Sequence, residues 1–176
     1  MNDDSRRLPI EPLTRAGFAP YGEVIDTVGS EPQSINGGTA QKFADLARVE
    51  VAGDRSTALP ALPPAATIGI YRAQPRTLPM QLLEVERHPL GSQAFVPLVP
   101  TRFLVVVAGA TEEPSAADLR VFLARGQQGV SLRAGVWHHA LLALDLEADF
   151  LVVERACGDG NLDRLETASW RIWVGE

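Results

Sequence analysis

Short apolar runs, some alternating and some continuous, recur along the whole chain, and glycine or proline closes most of them. Val24 and Ile25 mark a strand over residues 22–26, FADLARVEV over 43–51 marks a second, and TIGIYRA over 67–73 a third. Proline then breaks the pattern over 75–79, and Leu82, Leu83 and Val85 lead into a strand that resumes over 94–98. FLVVVA over 103–108 is continuous, and too short for a helix, so it reads as a core strand. Leu119, Val121 and Leu123 alternate with Arg120 and Phe122 over 119–124, which is also read as a strand. Residues 130–132, 140–144 and 150–155 add three more, the last two flanking an acidic hairpin of Asp145, Glu147 and Asp149. Helical signals are few: Thr14 caps a short helix through Ala16 and Phe18 that ends at Pro20 and Gly22, and Ser115 caps a single turn.

So many short strands between Gly and Pro turns predict an all-β, mainly antiparallel sandwich or barrel with few short helices. Helices are too scarce for parallel crossover units. The loops are predicted at 29–39, rich in Pro32, Ser34, Asn36, Gly37 and Gly38, and at 53–64. The first of these is either a plain hairpin loop or a device for placing backbone N–H groups and an amide against a ligand. Residues 1–7 are polar and expected to be loose. The tail from 158 onward is less regular, though Trp170, Ile172 and Trp173 alternate well enough to dock. With 176 residues, no repeat and no linker, the chain is expected to be a single domain over 1–176 with its core over about 10–155.

Charge narrows the function. The net charge of -6 argues against nucleic acid, which calls for basic surface. Of the sixteen basic residues only Lys42 is a lysine, and arginines suit bidentate grip on a small carboxylate. Cys157 is the only cysteine, so no internal disulfide is expected, and without a nearby histidine it is read as incidental. No apolar run approaches the roughly 20 residues that span a membrane, and the N-terminus lacks a signal peptide's apolar region. A soluble cytoplasmic protein with no membrane partner is expected.

The chemistry concentrates in ERHPLGSQAFVPL over 86–98 and GVWHH over 135–139, which hold all three histidines. Glu86 and His88 stand two apart and share a face on a strand. A carboxylate and an imidazole turned into a barrel are costly unless paired, hydrogen-bonded or bound to metal. Gln93 lies beyond Pro89-Leu90-Gly91, where a bend returns it to the same face. His138 and His139 are adjacent and face opposite ways on a strand; His138 is the one expected in the site. Taken singly, each of these has an ordinary structural reading: a hydrogen-bonded histidine, half of a surface ion pair, a surface amide. Their order, Glu–x–His–x4–Gln followed later by Gly–x–x–His, matches the spacing of the two cupin motifs. Glu86, His88, Gln93 and His138 fall at the four ligand positions, and Arg133-Ala134-Gly135 stands where Pro–x–Gly is usual. Mixed oxygen and nitrogen donors suit a first-row divalent ion.

The segments SINGGTAQKFADLARVEV, YRAQPRTLPMQLLEVERHPLGSQAFVPL, LRVFLARGQQGVSLRAGVWHHALLAL and DFLVVER together resemble the ureidoglycolate lyase family. The resemblance spans about residues 10–155, with the ERHPLG-QAF and GVWHH blocks as its most specific parts. A Pro/Ala-rich insertion over 59–66 and the tail ending in 170–176 depart from it. It implies a cupin-like β-barrel or jelly roll, a homodimer, and conversion of (S)-ureidoglycolate to glyoxylate and urea in allantoin breakdown. A divalent metal (nickel or another first-row ion) is implied, and no organic cofactor. The catalytic expectation falls on Glu86, His88 and His138, the metal on these with Gln93, and substrate binding on Asn36, Gly37, Lys42, Arg72 and Gln93. A cupin enzyme acting on another small carboxylate, or a cupin that binds a small acid without turnover, remains open on the residues alone.

Overall fold

The computed structural model describes residues 6–53, 64–156 and 160–175. The predicted helix forms as α1 (Arg15–Phe18), capped by the Thr14 side chain, which accepts the Gly17 N–H at 3.1 Å. Two short strands precede it, β1 (Arg6–Leu8) and β2 (Ile10–Pro12), and β3 (Gly22–Ile25) follows. A hairpin of β4 (Gln33–Ile35) and β5 (Ala40–Lys42) turns through the 3-10 segment Asn36–Gly38. Then come β6 (Ala66–Ala73), β7 (Met80–Gln81), β8 (Glu84–Arg87), β9 (Gln93–Pro97) and β10 (Phe103–Ala108). The remainder is β11 (Arg120–Ala124), β12 (Gly129–Leu132), β13 (Trp137–His138), β14 (Leu142–Ala143), β15 (Ala148–Arg155), β16 (Asp163–Glu166) and β17 (Ile172–Val174).

Two mainly antiparallel sheets face each other. One runs β16-β8-β13-β10-β11-β2, with β14 also on β10; the other runs β3-β12-β9-β15-β6. Between them lies one apolar interior that includes Phe95, Phe103, Phe122, Phe150 and Val152, with Phe103 and Phe150 edge to face at 5.1 Å. The all-β expectation therefore holds, as a cupin-like jelly-roll barrel.

At its centre the first sheet is buried on both faces. Its outer side, with Leu104, Val106, Val121 and Trp137, is covered by a small third sheet, β1-β17-β7, which contributes Leu8, Ile172 and Val174. That cover explains why FLVVVA is apolar without alternation: every residue of β10 is buried. It also corrects the expectation of a loose N-terminus at Arg6 and Arg7, residues 1–5 lying outside the described residues, and shows the tail to be more regular than expected. Arg6–Leu8 is a strand paired in parallel with β17, and the tail carries two strands.

Residues 43–51 are corrected the other way. They form no strand among the described residues beyond a single bridge, Val51 to Gly91. Asp45 takes a positive φ of 55°, which no strand accommodates, and the backbone groups of residues 50 and 52 bond instead to residues 92 and 90. At 115–118 the capping direction is reversed: the Asp118 carboxylate accepts from the Ser115 N–H and hydroxyl. Cys157 and most of the 59–66 insertion lie outside the described residues.

Candidate active site

Strands β8 and β13 are antiparallel neighbours, and Glu86 stands directly opposite His138. The intervening chain, residues 87–137, is closed by this one register pair, and cross-strand partners share a face. His138 is also level with Val107 of the interior, whereas Trp137 belongs to the outer apolar layer. Alternation along β8 and β13 therefore turns Glu86 and His138 inward and Arg87 and Trp137 outward. The outward pair locks the strands. The Arg87 guanidinium lies 4.7 Å from the Trp137 ring centre and donates to Asp163 at 2.7 Å, and the indole N–H donates to the Thr111 carbonyl at 2.9 Å.

His88 comes one residue past the end of β8, so it reaches the site from a turn and not from the strand on which its spacing placed it. Three bonds hold that turn. The His88 carbonyl accepts the Gly135 N–H at 2.9 Å, and the Asn161 side chain accepts the Leu90 N–H at 2.8 Å. The His88 ring Nδ1 lies 2.8 Å from the Asn161 carbonyl. Gly135 has a φ of 78°, which lets the chain reverse just before Trp137 and His138. The Glu50 carboxylate accepts the Ala134 N–H at 2.7 Å, tying the same reversal to the 50–52 segment.

Both histidines are held in one tautomer. Nδ1 of His138 lies 3.0 Å from the Val136 carbonyl. A carbonyl only accepts, so in each neutral ring Nδ1 carries the hydrogen and Nε2 keeps its lone pair. Both Nε2 atoms are buried without a hydrogen-bond partner, and the two ring centres are 5.3 Å apart. Glu86 Oε1 lies 3.9 Å from His138 Nε2. One donor atom from each of Glu86, His88 and His138 falls within 4.8 Å of the others. Two lone pairs and a carboxylate converging in a buried space need a cation or a proton, because they cannot satisfy one another. The donor set fits a divalent first-row ion with coordination positions left for substrate. Burial pushes His138 down to about 4, and the neighbouring His88 and His139 act in the same direction against the Val136 bond, so the ring is neutral at physiological pH.

The bend at 89–91 does more than return Gln93 to one face. It carries the chain from one sheet to the other, so that Gln93 opens β9 on the facing sheet. Gln93 and Glu86 both line a cavity of about 240 Å³, with Tyr71, Phe95 and Leu141 among its other walls. A larger hollow of about 610 Å³ around Arg76 and Leu104 contains none of the cluster.

The remaining expected residues are placed differently. Arg72 lines the cavity, but its guanidinium fork is held by Asp149, with bonds of 2.7 and 2.9 Å, and these bonds raise its pKa further. Asn36, Gly37 and Lys42 are exposed on the separate two-stranded hairpin and are not among the cavity's lining residues. His139 lies past β13, where its neighbours around a small void include Phe103, Val105 and Leu141 of the interior, and burial lowers its pKa. It does not share the outer face with Trp137. Sequence reasoning missed Asn161, Glu50, Tyr71 and Glu154. Each is a single polar residue in a strand or loop with no motif around it, and only the fold shows what it touches.

A two-sheet, mainly antiparallel fold that gathers a carboxylate and two imidazoles beside a partly open cavity is, as a class, cupin-like. The sequence profile of the ureidoglycolate lyase family matches residues 5–174, which brings the tail that had seemed to depart from the pattern within the match. The chain is 46% identical over 169 residues to a ureidoglycolate lyase of Burkholderia mallei, covering 96% of this chain and 94% of that protein. It is 49% identical over 156 residues to one from Brucella anthropi, covering 89% and 87%, and 48% identical to one from Brucella melitensis with the same coverage. This chain belongs to the ureidoglycolate lyase family. Among solved structures, a dTDP sugar isomerase from Desulfovibrio desulfuricans G20 matches with a TM-score of 0.44 and 16% identity over 83% of this chain and 85% of that one.

Proposed function

We propose that this protein is a ureidoglycolate lyase that cleaves (S)-ureidoglycolate to glyoxylate and urea. The observation that carries the reading, beside family membership, is the pair of buried, unpartnered imidazole nitrogens facing Glu86. The reacting carbon of the substrate bears a hydroxyl, a carboxylate and a ureido nitrogen. Cleavage takes the hydroxyl proton, forms the carbonyl of glyoxylate, and sends the carbon–nitrogen electron pair to the departing nitrogen, which gains a proton as urea leaves. Glu86, His88 and His138 would hold a divalent ion, with Gln93 beside it, and the ion would supply Lewis acidity toward the substrate's oxygens. Burial makes His138 a poor proton acceptor, so where no ion engages it the free Nε2 of His88 is the group that takes the hydroxyl proton. Arg72 can grip the substrate carboxylate only by exchanging it for Asp149.

Urea and glyoxylate release from (S)-ureidoglycolate, measured with and without a chelator, tests the reading. Turnover that disappears with the metal and returns on adding it back supports both parts. No turnover by folded protein removes the lyase assignment, and full turnover after metal removal leaves the histidine base alone.

We propose further that the protein is a homodimer whose copies meet at the outer face of the β6–β15 pair. Ile68 is 74% exposed and Ile70 54%, and they stand level with Val153 and Leu151 on the neighbouring strand. Sedimentation of an Ile68→Lys, Ile70→Lys variant is expected to show a monomer where the parent sediments as a dimer.

A further inference from the structure

Glu154 sits on β15 level with Gln93 on β9 and Thr67 on β6. It continues the inward alternation of Phe150 and Val152. One of its carboxylate oxygens accepts the Tyr71 hydroxyl at 2.7 Å, and the other accepts the Gln93 amide N–H at 2.8 Å. Tyr71 stands level with Phe150, four register pairs from Glu154, and reaches along the strand because its ring lies over Gly69. A Cβ there would sit 3.8 Å from the tyrosine Cε1.

This arrangement fixes the sense of the Gln93 amide. An ionised carboxylate only accepts, so the end of the amide that faces it is NH₂, and the carbonyl oxygen is turned away from it. That oxygen is buried and has no donor of its own. It belongs to a residue sharing the cavity with Glu86. A buried acceptor without a donor is costly and is satisfied when a ligand brings one.

We propose that Glu154 is a positioning residue that holds the Gln93 carbonyl as the acceptor for a ureido N–H of the substrate. This rests on the reading of the protein as a ureidoglycolate lyase. The ureido group is neutral and rich in N–H donors, so a carbonyl suits it, whereas an NH₂ in the same place would oppose donor to donor. Tyr71 makes the consequence of one isosteric change specific. In Glu154→Gln a tyrosine hydroxyl that keeps its present donation takes the new amide's oxygen, so that the new NH₂ faces residue 93 and Gln93 inverts, presenting NH₂ where the carbonyl stood. In the exchanged pair Gln93→Glu, Glu154→Gln the same bonds form with an oxygen restored at the ligand end.

The test uses two ligands and calorimetry on the full-length protein. N-carbamoylglycine keeps the carboxylate and the ureido group but has no hydroxyl to lose; glyoxylate has no ureido group. Glu154→Gln is expected to weaken N-carbamoylglycine roughly tenfold, as for loss of one buried hydrogen bond, and to leave glyoxylate within about twofold. The exchanged pair is expected to recover most of the loss. Equal weakening of both ligands, no weakening of N-carbamoylglycine, failure of the parent protein to bind it, or failure of the exchanged pair to recover each overturns the proposal. The contrast is read without turnover, so absence of ureidoglycolate cleavage by the parent protein separately overturns the reaction assigned above.

Discussion

Residues 86–93 with 135–139, and residues 33–42, are both polar stretches with glycine turns, and the fold treats them in opposite ways. The first pair is stitched from several sides: Gly135 to His88, Leu90 and the His88 ring to Asn161, Ala134 to Glu50, and Arg87 over Trp137. Its polar groups are held in one geometry before any ligand arrives. The second is a two-stranded hairpin standing as its own sheet, with nothing within 4 Å of where side chains at Gly37 or Gly38 would start. Preorganisation is what separates a site from a polar loop: a site's groups have their orientation fixed by neighbours that do not react.

The sharpest way to break that contrast is to remove the donors. Glu86→Ala, His88→Ala and His138→Ala are each expected to lower kcat/KM for ureidoglycolate by roughly 10²- to 10⁴-fold, with melting temperatures close to the parent. Near-normal rates for any one take that residue out of the site. Next in size is an effect transmitted through Asn161. Asn161→Ala removes the Leu90 contact while keeping the carbonyl that holds His88, so a fall of roughly tenfold in kcat/KM is expected, as for loss of one hydrogen bond to a buried turn.

The stability of the metal-free protein gives a third measure. His138 is held near 4 when folded against an ordinary 6.5, so between those values the unfolded chain binds a proton that the folded protein does not. Stability is thus expected to fall as the pH drops from about 6.5 to 4, by up to about 3 kcal/mol, and this histidine's contribution to flatten below. Denaturant unfolding of the parent and of His138→Asn across that range checks it, since the variant should lack the slope. The smallest effects are expected on the hairpin. Asn36→Ala and Lys42→Ala are predicted to raise KM by less than about tenfold, in keeping with exposed contacts. A kcat loss as large as that of His88→Ala would mean that the hairpin closes onto the cavity during turnover, and would erase the distinction drawn here.

Most of the strands were legible because alternation and glycine or proline punctuation are local signals. FLVVVA, TIGIYRA and the Thr14-capped helix each announce themselves within a few residues. Residues 43–51 had the right composition for a strand and became a brace instead, because tertiary bonds to residues 90 and 92 took their backbone groups. The tail was underestimated for a similar reason. Ile172 and Val174 gain their value only from the outer face of β10 that they cover.

The sequence by itself determined the fold class and, through the resemblance of its segments, the family, and its spacing and residue types singled out Glu86, His88, Gln93 and His138 as candidates. Only the tertiary structure decided their arrangement: that Glu86 meets His138 across two strands, that His88 arrives from a turn, and that Gln93 answers from the opposite sheet. It also decided that Asn161 and Glu154 orient two of them. The physical reason is range. Strand propensity is set by neighbours along the chain, whereas the tautomer of an imidazole or the sense of an amide is set by whichever carbonyl or carboxylate the fold brings beside it.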